Sequence, residues 1–157
     1  MISEQIGLDL LRTYVAICRQ GSLSRVAAQT GRTQSALSMQ MRRLESLLRT
    51  LYSPEFLGHP ELYRPLPPSA SPVEARFDPR SYWRGPVWPV LSWLLWRALV
   101  RAGEAEHAAV LRRVALEQLA GGGFAEYFEP FTGEPLGSGD QSWTAAVALD
   151  WLAHGDA

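Results

Sequence analysis

The sequence predicts an all-α protein built as two helical segments, and three observations carry that expectation. Apolar residues recur at helical spacing through the first fifty residues and again after Pro89, glycines stand where the periodic runs stop, and no stretch alternates apolar with polar residues as a half-buried strand would. Between the segments, Tyr52 to Pro79 holds seven prolines and no sustained period, which reads as an extended connector. The expected organisation is therefore residues 1–49, a connector over 50–80, and residues 81–157.

In the first segment Leu8, Leu11, Tyr14, Val15 and Cys18 define one helix, stopped by Gly21. Ser22 and Ser24 offer side-chain oxygens to cap a short second helix through Arg25-Val26-Ala27-Ala28-Gln29, which Gly31 ends. Thr33 caps a third, whose Leu37, Met41, Leu44 and Leu48 form an apolar stripe while Gln34, Ser35, Ser38, Met39, Arg42 and Arg43 lie off it. That is a helix-turn-helix with a polar outer face, although an ordinary three-helix cluster would share the pattern.

In the second segment the run Val90 to Val100 is apolar on nearly every side and stops at Gly103, so it expects neighbours all round. A helix over about Glu104 to Ala120 places Ala108, Leu111, Ala115 and Leu119 on one face before three glycines. A last helix starts near Asp140 and carries Trp143, Val147 and Trp151.

Composition narrows the function classes. At 46% hydrophobic residues the chain has the material for a core, and no apolar run approaches the roughly 20 residues needed to span a bilayer. The start Met1-Ile2-Ser3-Glu4 lacks the layout of a secretory signal, so a cytoplasmic location is expected. The single cysteine, Cys18, excludes an internal disulfide framework, and nothing in the pattern asks for a metal or cofactor. The net charge of −1 hides an asymmetry: through Thr50 seven arginines face three acidic residues, a balance of +4, and the remainder carries −5. Any polyanion contact is thus expected from the first segment.

Leu8-Asp9-Leu10-Leu11, Gly21 to Ala28, Gly31 to Ser38 and Arg42-Arg43-Leu44-Glu45 together resemble the LysR-type transcriptional regulators. The resemblance implies a winged-helix-type reading head whose third helix enters the major groove of double-stranded DNA. It would place Gln34, Ser35, Ser38 and Met39 near base edges and Arg42 and Arg43 at phosphates. It stops near Leu48, so the family's wing, dimerising helix and effector domain are not expected in the remaining residues.

The second segment resembles a different family. Phe77-Asp78-Pro79, Tyr82-Trp83-Arg84-Gly85-Pro86-Val87-Trp88, Gly123 to Gly133 and Ser142 to Ala146 are similar to the closing motifs of family 63 glycoside hydrolases of the mannosylglycerate and glucosylglycerate hydrolase kind. This implies the C-terminal part of an (α/α)6 barrel that inverts the anomeric centre of an α-glycoside. It makes Glu126 the general base and places Tyr82, Trp83, Arg84 and Trp88 around the sugar. Read without the family, Glu126 is an ordinary loop carboxylate and the tryptophans are core. Inverting hydrolysis needs a second carboxyl as acid, about 6.5–9.5 Å away, and the family's acid comes from a part of the barrel with no counterpart here. Asp78 and Glu129 lie within the motifs but not at its place.

The chain accordingly reads as a chimera. DNA binding is the leading expectation for its activity, glycoside hydrolysis the second, and a fusion product without activity the third. The apolar Val90 to Val100 helix adds an expectation of self-association.

Overall fold

The computed structural model describes residues 16, 20 and 22–154, with the backbone alone at 40, 41, 43–45, 47 and 48. The helix expected around Leu8 to Cys18 falls almost wholly outside the described residues. The chain divides into two compact units. One runs to Arg49 and takes in Arg101–Gly103, and the other comprises Thr50–Val100 with Glu104–Ala157.

In the first unit, α1 spans Leu23–Thr30 and α2 spans Gln34–Leu51. Ser22 is the N-cap of α1, its hydroxyl accepting from the Arg25 N–H, and Gly31 closes the helix at φ 63°, a left-handed conformation that glycine reaches without a Cβ penalty. Thr33 caps α2 through its hydroxyl and the Ala36 N–H at 3.2 Å. Ser24 is not a cap: its hydroxyl accepts instead from the Gln34 side chain, which ties the start of α1 to the start of α2. Val26, Ala27 and Leu37 form the buried cluster between the helices, with Ala16 and Leu23 against it.

The second unit is helical around a small sheet that the sequence reading did not anticipate. Helix α3 spans Pro89–Ala102, α4 spans Ala105–Gly122 and α5 spans Ser142–Ala153. Between α4 and α5, strands β1 (Tyr127–Phe128) and β2 (Pro135–Leu136) pair antiparallel, Tyr127 opposite Leu136 and Phe128 opposite Pro135. Helix α4 runs on through Gly121 and Gly122, and Gly123 closes it at φ 69°. Ala108, Leu111, Ala115 and Leu119 are buried as their spacing requires.

Between α2 and α3 the proline-rich stretch is a succession of turns, and it sends Leu57, Leu66, Pro67 and Pro68 into the interior. It is held along its length, by the Tyr63 N–H on the Pro130 carbonyl and the Ser69 N–H on the Pro86 carbonyl. Trp93 donates its indole N–H to the Asp150 carboxylate at 2.6 Å, and Arg97 reaches the same carboxylate at 3.8 Å, joining α3 to α5. The Arg112 guanidinium donates to the Trp151 carbonyl and joins α4 to α5. No described helix is long and apolar enough to cross a membrane.

Trp151 is fully buried and lines the interior together with Pro89 and Ser92 of α3 and Ala115 and Leu119 of α4. Trp151→Ala is expected to lower stability by about 3–5 kcal/mol through lost burial and an unfilled cavity. Urea unfolding of the full chain, followed by far-ultraviolet circular dichroism, measures the loss.

Candidate functional site

The site is built where the loop preceding α3 meets the hairpin preceding α5. From Asp78 to Arg84 the backbone closes on itself: the Asp78 N–H donates to the Arg84 carbonyl, the Ser81 N–H to the Asp78 carbonyl and the Arg84 N–H to the Ser81 carbonyl. Gly85 is required at the exit of this loop, because a Cβ there would stand 2.2 Å from the Asp78 carbonyl oxygen. Beyond it, Val87 and Phe128 exchange two backbone hydrogen bonds of 2.8 Å each, so the loop is stitched to β1.

That stitching assembles an aromatic stack. Trp83 lies on Trp88 with ring centroids 3.9 Å apart and planes within 7°, and Trp88 lies on Tyr127 at 4.7 Å and 26°. Tyr82 meets Trp88 edge-on at 4.7 Å, and the Trp88 indole N–H donates to the Tyr82 carbonyl at 2.9 Å. Trp88 is wholly buried, whereas Trp83 is 49% exposed. The two expected platform tryptophans thus differ: Trp83 presents a face to solvent, and Trp88 supports it from behind.

Glu126 stands beside this stack, held on both oxygens. The Tyr82 hydroxyl donates to Oε1 at 3.0 Å, and the Ser138 N–H approaches Oε2 at 3.3 Å. The Glu126 N–H in turn donates to the Ser138 carbonyl at 2.8 Å. Gly137 makes this approach possible, since it sits at φ 73° and a Cβ there would lie 2.7 Å from Oε2. On the far side the buried Thr144 hydroxyl donates to the Ala125 carbonyl at 2.9 Å, anchoring the residue before Glu126 to α5. The Tyr82 phenol is raised above the ordinary tyrosine range, first because it donates its proton to the Glu126 carboxylate and then through desolvation.

The structure therefore brings together Tyr82, Trp83, Trp88 and Glu126. Arg84 is turned elsewhere: its guanidinium donates to the Ser81 hydroxyl at 2.9 and 3.1 Å and lies 3.8 Å from Asp78. The neighbouring carboxylates have local partners as well. Glu129, 5% exposed, accepts from the Phe131 and Thr132 N–H groups and the Thr132 hydroxyl, and so folds its own turn. Glu134 pairs with Arg80 through two hydrogen bonds, which hold its pKa below the ordinary carboxylate range and tie β2 to the aromatic loop. The residues sequence reasoning missed are Gly137 and Ser138, which position Glu126, and Tyr127, the ring on the other side of Trp88 from Trp83. Gly137-Ser138-Gly139, just ahead of the last helix, is the signal that marked a close backbone approach.

On the first unit, Gln34, Ser35, Met39 and Arg42 are exposed and Ser38 is half-buried, while the Arg43 side chain lies outside the described residues. Among the described residues Met39 is the most exposed of the large apolar side chains, at 71%. The Ser35 hydroxyl lies 3.0 Å from that of Thr33.

Removing the carboxylate partner of Tyr82 removes what holds its proton. In Glu126→Ala the Tyr82 phenol is expected to titrate at lower pH, back toward the ordinary tyrosine range. An ultraviolet titration at 295 nm, with Tyr82→Phe identifying the transition, reads the shift.

The sequence model of the mannosylglycerate hydrolase MGH1-like glycoside hydrolase domain matches residues 14–144. A glucosylglycerate hydrolase of Mycolicibacterium hassiacum is 59% identical over 110 residues, 70% of this chain and 25% of the relative. A crystal structure of a family 63 mannosylglycerate hydrolase from Thermus thermophilus, in complex with Tris and D-glycerate, superposes with a TM-score of 0.60 and 38% identity over 68% of this chain and 25% of that one. Over a separate stretch the chain is 51% identical to the HTH-type transcriptional regulator DgdR of Burkholderia cepacia, across 47 residues, 30% of this chain and 16% of the regulator. The chain thus spans about a quarter of the length of these hydrolases and less of the regulator. With a family match reaching over most of its residues, the chain belongs to the mannosylglycerate hydrolase MGH1-like glycoside hydrolases and joins to that part a stretch homologous to helix-turn-helix regulators.

Proposed function

We propose that the second unit is the water-activating side of an inverting glycoside hydrolase site, part of an (α/α)6 barrel, with Glu126 as general base and Trp83 as the sugar platform. The observation that carries this reading is the clamp on Glu126, a carboxylate gripped by a phenol and a backbone N–H beside an exposed indole face. Two donors, one to each oxygen, fix the carboxylate in place, as a positioned base requires. An indole plane offers its face to the C–H groups of a sugar, and Trp88 and Tyr82 fix the orientation of that plane. The relatives' names point to a glycoside of glycerate as substrate. Arg84 is the residue for the glycerate carboxylate, reached by leaving Ser81 for the ligand.

A base without its acid cannot protonate the departing oxygen, and general acid or base catalysis contributes about 10²–10⁴-fold. These 157 residues alone are therefore expected to release no sugar from mannosylglycerate or glucosylglycerate, as measured by a coupled assay for free hexose. Release by the chain alone, abolished in Glu126→Gln, would overturn that expectation while supporting Glu126 as the base.

A second reading belongs to the first unit, where the 47-residue regulator match favours a LysR-type, winged-helix-class reading head for double-stranded DNA. Gln34, Ser35, Ser38 and Met39 would face bases, and Arg42 and Arg43 phosphates. The full chain is expected to bind duplex weakly and with strong salt dependence. Arg42→Ala should lower binding to all sequences and reduce the salt slope by about 1, whereas Gln34→Ala should change sequence preference. Fluorescence anisotropy over a salt series makes the measurement, and no binding at low salt ends this reading.

A further inference from the structure

Among the described residues three buried side-chain polar atoms have no hydrogen-bond partner: Arg64 Nε, Ser92 Oγ and Trp151 Nε1. Arg64 belongs to a partly exposed side chain whose other end pairs with Glu117. The other two belong together. Ser92 of α3 is 1% exposed and Trp151 of α5 is wholly buried, and both line one small interior cavity. Every residue around that cavity is buried, so bulk solvent does not reach either group. Its walls are otherwise apolar, as at Val87, Leu119 and Phe128, except for Gln118 of α4. The Gln118 Nε2 donates to the Gly133 carbonyl at 3.2 Å, and the oxygen of the same amide is an acceptor.

The two unpartnered groups are chemically suited to a common ligand. An indole N–H can only donate, whereas a serine hydroxyl both donates and accepts. Leaving them dry would shift the folding equilibrium against the native state by on the order of tenfold each. The helices themselves are in close contact, since Trp93 and Asp150, the residues next in sequence to the two groups, hydrogen-bond directly at 2.6 Å. The cavity leaves the centre of a water-sized sphere about 10 Å³ to move in, which suits one water and nothing larger. We infer that this cavity is a binding site for a single structural water molecule. The water accepts from the Trp151 indole N–H, shares a hydrogen bond with the Ser92 hydroxyl and donates to the Gln118 amide oxygen, linking α3, α4 and α5 from within. Three partners is the usual complement of a buried water, and an apolar occupant of the same size would leave both orphaned groups unpaired. The site touches Val87 and Phe128, so the water also packs against the two residues that stitch the aromatic loop to β1. None of this depends on the role of Glu126.

The test uses the full chain with its six tryptophans labelled at the indole nitrogen. Trp151→Phe identifies the Trp151 signal by its loss. Water-selective NOE and ROE spectra of the parent are expected to show a cross-peak to the Trp151 indole N–H of opposite sign in the two experiments, the mark of a water that tumbles with the protein. Because the exchanging Ser92 hydroxyl proton could imitate that peak, oxygen-17 relaxation dispersion of the solvent, to which hydroxyl groups do not contribute, separates the two sources. Ser92→Val removes the hydroxyl and fills its space with a methyl group, and it should lose one long-lived water relative to the parent while its far-ultraviolet circular dichroism stays the same. Trp151→Phe, which removes the other partner, should lose the same water and serves as the second variant if Ser92→Val does not fold. A parent chain with no cross-peak at Trp151 overturns the inference by itself. A cross-peak accompanied by an oxygen-17 dispersion that neither substitution lowers assigns the signal to the hydroxyl and overturns it equally.

Discussion

Two backbone hydrogen bonds between Val87 and Phe128 are the constraint on which the rest of the site depends. They join segments about forty residues apart in sequence, and the stack and the Glu126 carboxylate lie within a few residues of them. Trp88 follows Val87 and is pressed onto Tyr127, which precedes Phe128, and Glu126 precedes Tyr127. Because successive side chains on extended backbone point to opposite faces, register decides which residues meet. A slip of one residue would turn Trp88 or Glu126 away from the aromatic stack. The antiparallel partner β2 and the Thr144 hydroxyl on the Ala125 carbonyl hold the same register from the other side.

The stack explains why so polar a site can be rigid. Trp88 is sealed between Trp83 and Tyr127, with Tyr82 edge-on, so its large apolar area stabilises the loop while its indole N–H is satisfied by the Tyr82 carbonyl. Trp83 and the Tyr82 hydroxyl inherit that rigidity at the surface. A carboxylate positioned by a mobile side chain would spend much of its time misaligned. Here the Tyr82 phenol is fixed by its packing and the Ser138 N–H by its main chain, so neither donor has to be recruited.

The helices were legible because their ends carry physical punctuation. Ser22 and Thr33 supply cap oxygens, and Gly31 and Gly103 adopt the positive φ that stops a helix. The hairpin was not legible: strands of two residues show no alternation, and one of them contains Pro135, which argues against a strand unless its missing N–H falls at an edge. That Tyr82, Trp83, Trp88 and Glu126 come together was legible through the two motifs, whereas their arrangement was not. Trp83 and Trp88 look equivalent in sequence, and only the stacking order separates an exposed platform from a buried support. Ser138 was invisible for a different reason, since it acts through a backbone N–H that every non-proline residue possesses. Arg84, promising for its fork of donors, is engaged by Ser81 in a contact three residues away that spacing did not single out.

The two homologies place different demands on the same chain. A helix-turn-helix closes its own small core, and Val26, Ala27 and Leu37 with Ala16 and Leu23 already supply one. The glycosidase part does not close in the same way. Its hydrophobic residues exceed what three helices and a hairpin can enclose, so Leu94, Val100, Leu149 and Leu152 remain at the surface. An uncharged apolar face is costly in water, and so its persistence alongside a fully assembled aromatic loop separates two properties of the enzyme architecture. The geometry around Glu126 is local, set by contacts within the sheet and its flanking loops. On the reading proposed for Glu126, sequestration from water and the supply of an acid are not set by these local contacts, so positioning one carboxylate and completing a two-carboxyl reaction are separate demands on the fold.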